Sequence, residues 1–585
     1  MSDDYLQPAR AFLEWFRAWP GTTFHDDIEI VDLRARGAGR GIIANKDIPV
    51  DTVLFTIPRK AIISATTSEL AKLIPSIVQG AEAEEKPESE KKEDKEGEDD
   101  EDEGDDDNNA QDPWTSLILI LIYEFLRGPA SPWKPYFDVL PAVFDTPMFW
   151  SADEIKDLQA SPVVERVGRE EADEMIRSKV LPVIRAHSSI FFGEGVAELD
   201  DDALVQLAHR MGSTIMAYSF SLEKDDDEDD DEEKKEEKPK GDDEDVEMKD
   251  GDDQETHVHE NEHEHGPDCN HDHGDDSDDD SEGAGWVEDK DDQLPLGMVP
   301  MADMLNADAE CNAHISHGVD ALTATAVRPI KAGEEILNYY GPLSNGELLR
   351  RYGYTTDKHA FFDAVDLPWF LVQLHLARQL GLNAAETVKV AEAIDADEFE
   401  DPVMLDRDFD EDEETGELKG VQGDAVLTEL PQILRRQARA FAKVALRQQQ
   451  KRREKALAAS KKQTGKNGKN DKTHPPKTEK EVVAAALAAA FTERLAAYPT
   501  TLAADEAQFA ETPVGSRLHS ALRVRIGEKR LLTEAVALAK ADLTAAKAEA
   551  KAEAKAEKAA EKSGKKNDRR DGNDDQPSGK RQRRN

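Results

Sequence analysis

Apolar residues recur at near-helical spacing at the start of the chain, where Leu6, Phe12, Leu13, Phe16 and Trp19 precede the stop Pro20-Gly21. From 28 to 64 the texture changes. IEIVDL and VLFTI read as short strands, and the glycines of ARGAGRGII mark a sharp bend between Leu33 and Ile42. Helical texture returns in WTSLILILIYEFLRG, whose apolar stretch is too short to cross a bilayer and reads as a core helix. An aromatic, proline-rich passage, SPWKPYFDVLPAVFDTPMFW, leads to the helices EEADEMIRSKVLPVIRAH and ALVQLAHRMGSTIMAYSF. Short strands resume in ALTATAVRPIKAGEEILNYYG. NKDIPVDTVLFTI and VRPIKAGEEILNY share one form (turn, isoleucine, turn, apolar strand) and read as two similar hairpins rather than a repeat array. Beyond Tyr354 the pattern is mostly helical, in WFLVQLHLARQL, AVLTELPQILRRQARAFAKVALRQQQKRR, VVAAALAAAFTERLAAY and SALRVRIGEKRLLTEAVALAKADL.

Charge divides this order into folded and solvated parts. The formal net charge of -52 is concentrated in runs such as EGEDDEDEGDDDNN and DDDEDDDEEKKEE, which repel themselves and hold too little apolar area to fold. They predict disordered insertions at about 81–111 and 223–285. Such runs can attract basic partners, ribosomal proteins and histones among them, although solvated filler is the commoner role. The second insertion carries His257, His259, His263, His265, Cys269, His271 and His273. These are good transition-metal ligands, but they lack the paired spacing of structural zinc sites, so no metal site is expected. A basic insertion covers about 459–480, and a basic tail covers 546–585. The tail begins as an Ala/Lys/Glu-rich run that can continue as an exposed helix. Its end, GKKNDRRDGNDDQPSGKRQRRN, has two basic clusters and a spacer, as a bipartite nuclear import signal would. It has no interleaved aromatics and sits in an acidic chain, so direct nucleic-acid binding is not expected. Only Cys269 and Cys311 occur, which excludes a disulfide framework and predicts a reducing compartment. The N-terminus lacks the regions of a signal peptide. A soluble nuclear monomer, with no membrane partner, is the expectation.

Three stretches are candidates for chemistry. Gly37, Gly39 and Gly41 surround Arg40 between two strands, where main chain could approach a ligand closely; a plain hairpin turn explains them as well. ADMLNADAECNAH gathers Asp303, Asn306, Asp308 and Asn312 into one polar stretch, open to a ligand-fixing role for the Asn306 amide or to an Asx-turn. ILNYYGPLSNGELLRRYGY clusters Tyr339, Tyr340, Tyr352 and Tyr354 around glycines. Their flat faces and hydroxyl tips suit a narrow channel for an aliphatic chain ending in an amine, and equally suit an aromatic core.

Taken in this order, glycine loop, then ADMLN, then NYYG and RRYGY, the chain resembles the SET methyltransferases over about 26–354. More narrowly it resembles the Rubisco large-subunit methyltransferase-like class, and within it the fungal ribosomal-lysine branch. AAYPTTLAADEAQF and ALRVRIGEKRLL are similar to that class's substrate-binding lobe. The resemblance implies an α+β fold: an N-terminal helix (1–24), a SET domain of short sheets and hairpins split by a helical insertion (25–341), and an all-α substrate-binding lobe (342–545). It implies S-adenosyl-L-methionine as cofactor, contacted by the backbone of Ala38, Gly39 and Arg40, lined by Tyr218, Asn306 and Ala307, and closed by Tyr352. Tyr340 would be the catalytic tyrosine. Trp133, Ser219 and Ser221 would face the substrate. Ala307 stands where many SET proteins carry histidine, a mark of the fungal branch. The implied activity is transfer of one methyl group to a lysine of a basic large-subunit ribosomal protein. A transcription-factor lysine, an actin-type histidine, or a non-catalytic acidic scaffold are the alternatives.

Overall fold

The two echoing segments pair with each other. Ile48 and Ile330 exchange both backbone hydrogen bonds, at 2.8 and 2.9 Å. On one side Gly333 N donates to Ala44 O at 2.7 Å, and on the other Ala326 N donates to Thr52 O at 3.0 Å. They are thus antiparallel partners at this bridge rather than two separate hairpins. The computed structural model describes residues 5–36, 38–77, 112–193, 195–222, 295–394, 399–407, 410–411, 418–419, 426–463 and 477–568. The acidic insertion expected at 81–111, the one at 223–285 with its His/Cys cluster, residues 464–476 of the basic insertion and 569–585 of the tail lie outside the described residues.

Short strands build small sheets around that pairing. Strands β1 (Thr23–Phe24), β2 (Ile28–Asp32), β3 (Arg40–Ala44) and β4 (Val53–Pro58) come from the first segment. Strand β5 (Ile63–Ser64) follows, with β6 (Ser219–Ser221) and β7 (Leu296–Met298) on either side of the long insertion. The last four are β8 (Asn306–Ala307), β9 (Ala313–His317), β10 (Ala321–Ala326) and β11 (Glu335–Asn338). One sheet runs β1-β4-β10-β9, a second β2-β3-β11-β8 and a third β5-β7-β6. The β8–β11 pairing is parallel, Asn306 lying opposite Leu337 and Ala307 opposite Asn338.

Ile42, Leu54, Phe55, Ile57, Leu322 and Ile336 of these strands are fully buried in one core. The helix Pro113–Leu126 enters it buried on every side from Thr115 to Glu124, as expected of a helix apolar all round. Asp112 caps it by accepting from Thr115 N at 2.8 Å. No helix among the described residues is long and apolar enough to cross a membrane. The N-terminal helix, Gln7–Ala18, inserts Phe12 and Phe16 into the same core, so 5–24 packs as part of the sheet-bearing half.

The C-terminal half is helical, with a separate core drawn from Trp369–Leu380, Gln432–Gln463, Glu479–Ala496 and Arg517–Asp568. The last helix is 52 residues long and carries regular structure to Asp568. The expected helical continuation of the Ala/Lys/Glu-rich run thus extends to Asp568, since that composition is strongly helix-forming.

A buried polar network joins the halves. Lys529, fully buried, pairs with the equally buried Asp505, which also accepts from Arg525 Nη2 at 2.9 Å. Lys529 Nζ donates to Thr500 O at 2.9 Å, while Gln159, from the other half, donates to Thr500 Oγ1 at 2.8 Å. Glu528 accepts from Ser161 at 2.6 Å and from Tyr498 at 2.8 Å. Removing one member of a buried pair strands a charge, whereas an exposed pair contributes little. Lys529→Met is therefore expected to lower unfolding stability by roughly 3 kcal/mol or more in urea titration. Arg530→Met, which breaks the half-exposed Glu506 pair, should change it by less than about 1 kcal/mol.

Candidate active site

The glycine loop is closed by Leu33. Its amide donates to Gly39 O at 2.9 Å, and its carbonyl accepts from Arg36 N at 2.7 Å and Ala38 N at 3.3 Å. Ala38 and Gly39 form the exit of this turn, and Gly39 is exposed. The strand that follows is fastened by a side chain from far along the chain: Asn306 Nδ2 donates to Arg40 O at 3.0 Å and to Glu335 Oε1 at 2.7 Å. One amide thus ties β3, β8 and β11 together. Gly41 sits under this clasp. A Cβ there would lie 2.5 Å from Leu33 Cδ1 and 2.8 Å from both Asn306 Nδ2 and Glu335 Oε1, so the approach requires glycine. Arg40 reaches inward instead of towards a ligand: Nη1 donates to Val139 O at 3.1 Å, and the guanidinium stands 4.6 Å from the centre of the Tyr5 ring. Arg34 covers that ring at 3.6 Å, and the Tyr5 hydroxyl lies over Gly39.

Four tyrosines converge beside the clasp. Tyr340 and Tyr352 stack with centroids 4.8 Å apart and planes at 16°. Tyr354 packs against Tyr352 at 6.2 Å. Tyr218 ends the helix Asp201–Tyr218 and is electrostatically coupled to Tyr340, Tyr354 and Asp303. The Tyr340 hydroxyl donates to Leu305 O at 3.0 Å, which fixes it one residue from Asn306. Burial, and then the phenols around it, push the Tyr340 pKa well above 10. Burial also raises Tyr352, to about 12. Both are hydroxyl donors and acceptors at neutral pH, and neither is a base.

The helix Asn345–Tyr352 delivers Tyr352. Ser344 caps its start, accepting from Glu347 N at 3.1 Å. Gly353 ends it at φ +80, leaving no room for a side chain against the Asp145–Thr146 backbone. Glu347 gathers Arg166 at 3.4 Å, Arg350 at 2.8 Å and Arg351 at 3.1 Å. Burial opposes its charge, but Arg350 and Arg351 hold its pKa at about 2.

Asn306, Ala307, Tyr218, Tyr340, Tyr352 and the Ala38–Arg40 backbone therefore bound one region, and the boundary drawn at 341/342 passes through its aromatic stack. Ser219 and Ser221 follow Tyr218 on the edge strand β6, half-buried and on one face by strand alternation. Trp133 packs deeper than these serines. It is 3% exposed, its indole N–H donates to Ala61 O at 2.8 Å, and its ring stacks on Trp19. It is a core residue, and the aromatic, Pro-rich stretch around it gave no sign of which face would be covered. The polar stretch 303–312 also divides. Asn312 is fully buried and clamps β11, accepting from Leu337 N and donating to Glu335 O, each at 2.7 Å. Glu335, Glu347, Tyr5 and Tyr136 escaped sequence reasoning, since their roles exist only through partners distant in the chain. Tyr136 donates to Asp303 Oδ2 at 2.7 Å.

Two family models match. The SET domain covers residues 39–341, just over half of the chain, and the Rubisco LSMT substrate-binding domain covers 370–532. Ribosomal lysine N-methyltransferase 4 of Saccharomyces cerevisiae is 29% identical over 358 residues, covering 60% of this chain and 56% of that protein. N-lysine methyltransferase SETD6 of Homo sapiens is 26% identical over 326 residues, covering 54% and 48%. The chain spans about half the length of these relatives. Rubisco LSMT, in its structure bound to AdoMet, superposes with a TM-score of 0.51 at 18% identity, covering 92% of this chain and 93% of that one. That likeness is one of fold.

Filling the space under the Asn306 clasp tests the geometry. Gly41→Ala is expected to lower stability by about 1–3 kcal/mol in thermal unfolding. Gly333→Ala, which meets no neighbour but has φ +82, should act through backbone strain alone, about 1 kcal/mol.

Proposed function

Because the chain belongs to the SET-domain family, we propose that it is an S-adenosylmethionine-dependent protein-lysine N-methyltransferase. The observation that carries this reading is the half-buried Tyr340–Tyr352 stack, with the Tyr340 hydroxyl anchored on Leu305 O beside the Asn306 clasp. The residues fit the cofactor. The exposed turn Ala38–Gly39 offers main-chain groups beside the Asn306 clasp, and the phenol faces suit a cation.

When bound, S-adenosylmethionine supplies a methyl group on a positively charged sulfur. The chain's own task is alignment and exclusion of water, and good alignment is worth about 7–11 kcal/mol. The tyrosine walls desolvate an entering lysine, and desolvation favours its neutral amine over the ammonium, whose pKa is ordinarily about 10.4. Tyr340, fixed by its bond to Leu305 O, keeps its oxygen free to accept from the amine and so orients the nitrogen lone pair. Its own raised pKa excludes it as the base, which leaves proton loss to solvent before the amine is sealed in. A pocket walled by rings has little room for methyl groups already transferred, so monomethylation is the product we assign. A basic large-subunit ribosomal protein is the acceptor class, supported by the acidic runs of this chain and by the printed name of the yeast relative. The two basic clusters of the tail support action in the nucleus.

Titration with S-adenosylmethionine is expected to be saturable, and about tenfold weaker in Tyr352→Ala, which loses a stacked ring. Tyr340→Phe should retain binding within a few-fold and lose about 100-fold or more in kcat. Mass spectrometry of large-subunit proteins should then show a single added methyl group. No binding by the unaltered protein would move the chain to the scaffold reading, and efficient trimethylation would contradict the product assigned.

A further inference from the structure

The helix Gln432–Gln463 is basic on the side it turns to solvent. Arg435, Arg439, Lys443, Arg447, Lys451 and Lys455 recur at every fourth position, a spacing that sets them in one ridge inclined about 26° to the helix axis. Arg435 opens the row and pairs with Asp542 at 3.3 Å. Arg452, off the row, pairs with Glu386. The remaining members of the row, Arg439 to Lys455, are exposed, and among the described residues none of them makes a hydrogen bond or an ion pair. Together they run for about 24 Å. Like charges four residues apart disfavour a helix, and this chain has 126 acidic residues against 74 basic ones with which to answer them. Core packing does not call for the row either. It is met by Leu434, Phe441 and Ala445, which the same helix turns into the second core.

We propose that this ridge is a docking surface for single-stranded RNA, held by its phosphates. The choice of RNA rests on the function proposed above, because a ribosomal acceptor is itself an RNA-binding protein. Evenly spaced cations suit a phosphate backbone, and the guanidiniums of Arg439 and Arg447 can each take a phosphate through two parallel hydrogen bonds. A protein partner would need apolar anchors, since interface cores are rich in aromatic side chains and poor in lysine. No large apolar side chain from 432 to 455 is exposed. The same lack removes base stacking, so the contacts fall on the backbone and carry no sequence preference.

The net charge of -52 conceals this surface and also selects its ligand. At physiological ionic strength the field of each acidic run is screened within about 8 Å, so a ridge about three times that length keeps its own local potential. A flexible single strand can follow one narrow ridge and stay clear of acidic surface, whereas a stiff duplex brings dense charge against it. The acidic runs and the basic ridge would then meet the two components of a ribosomal acceptor, its protein and its RNA.

Fluorescence anisotropy of the full chain with labelled polyuridylate, over a series of salt concentrations, tests this. Phosphate contacts from Arg439, Lys443, Arg447, Lys451 and Lys455 to a single strand predict a slope of about -3.5 for log K against log salt. The double variant Arg439→Gln/Arg447→Gln is expected to bind about tenfold more weakly at low salt and to reduce the slope to about -2. Lys72→Gln/Arg169→Gln removes the same charge from exposed positions of the sheet-bearing half and should leave affinity and slope unchanged. Equal weakening by both variants, or RNA binding that the first variant leaves intact, overturns the proposal. So does tighter binding of duplex DNA, displacement of the RNA by polyglutamate as readily as by unlabelled polyuridylate, or no RNA binding by the unaltered protein. A chain that binds polyuridylate in the expected way but not S-adenosylmethionine would contradict the function proposed above and leave the ridge assigned; the reverse would contradict the ridge alone.

Discussion

One side-chain amide holds the candidate site together. Asn306 reaches from β8 to the carbonyl of Arg40 and the carboxylate of Glu335, joining stretches of chain that two long insertions separate. A parallel two-residue strand contributes little by itself. Its fixed position comes from this amide, from the absence of a side chain at Gly41, and from Asn312, which pins β11 at Leu337 and Glu335. Once β8 is fixed, Leu305 O has a defined place, and through it so does the Tyr340 hydroxyl. Amide, carbonyl and phenol therefore form a single chain of dependence.

The aromatic side of the site depends on the opposite half of the molecule. Tyr352 stacks on Tyr340, but it is carried by the helix Asn345–Tyr352, whose first residue, Asn345, is buried and donates twice to Asp363 at 3.1 Å. Leu349 of that helix packs with Ala521 and Val524 of the long final helix. The same final helix contributes Arg525, Glu528 and Lys529 to the network that grips 157–161. The helical half is thus coupled to the geometry of the site as well as being available for a protein partner. The stacking of Tyr340 on Tyr352 and the anchoring of the Tyr340 hydroxyl are both consequences of this two-sided support.

Much of this was legible in the residues. The period of the apolar pattern separated strands from helices, and the order of glycine loop, ADMLN, NYYG and RRYGY pointed to the SET family. The family match and the fold agree with that reading. Pairing was harder to foresee. The echo between 45–57 and 327–339 is real, yet a pattern in one segment cannot reveal that its partner is the other copy. The depth of Trp133 was not legible, because an aromatic beside prolines looks the same whether it lines a cleft or fills a core. Only its bond to Ala61 O and its stack on Trp19 decide. Glu347 and Lys529 read as ordinary charges of amphipathic helices. Their burial follows from partners far along the chain, which composition and period do not encode.

The central claim, that three distant stretches form one cofactor site around Asn306, is tested most directly by hydrogen exchange with and without S-adenosylmethionine. The account predicts slower exchange together at 38–44, 301–307 and 336–354, with the helical region 479–511 unchanged. Protection confined to one of these stretches, or appearing only in the helical half, would contradict it.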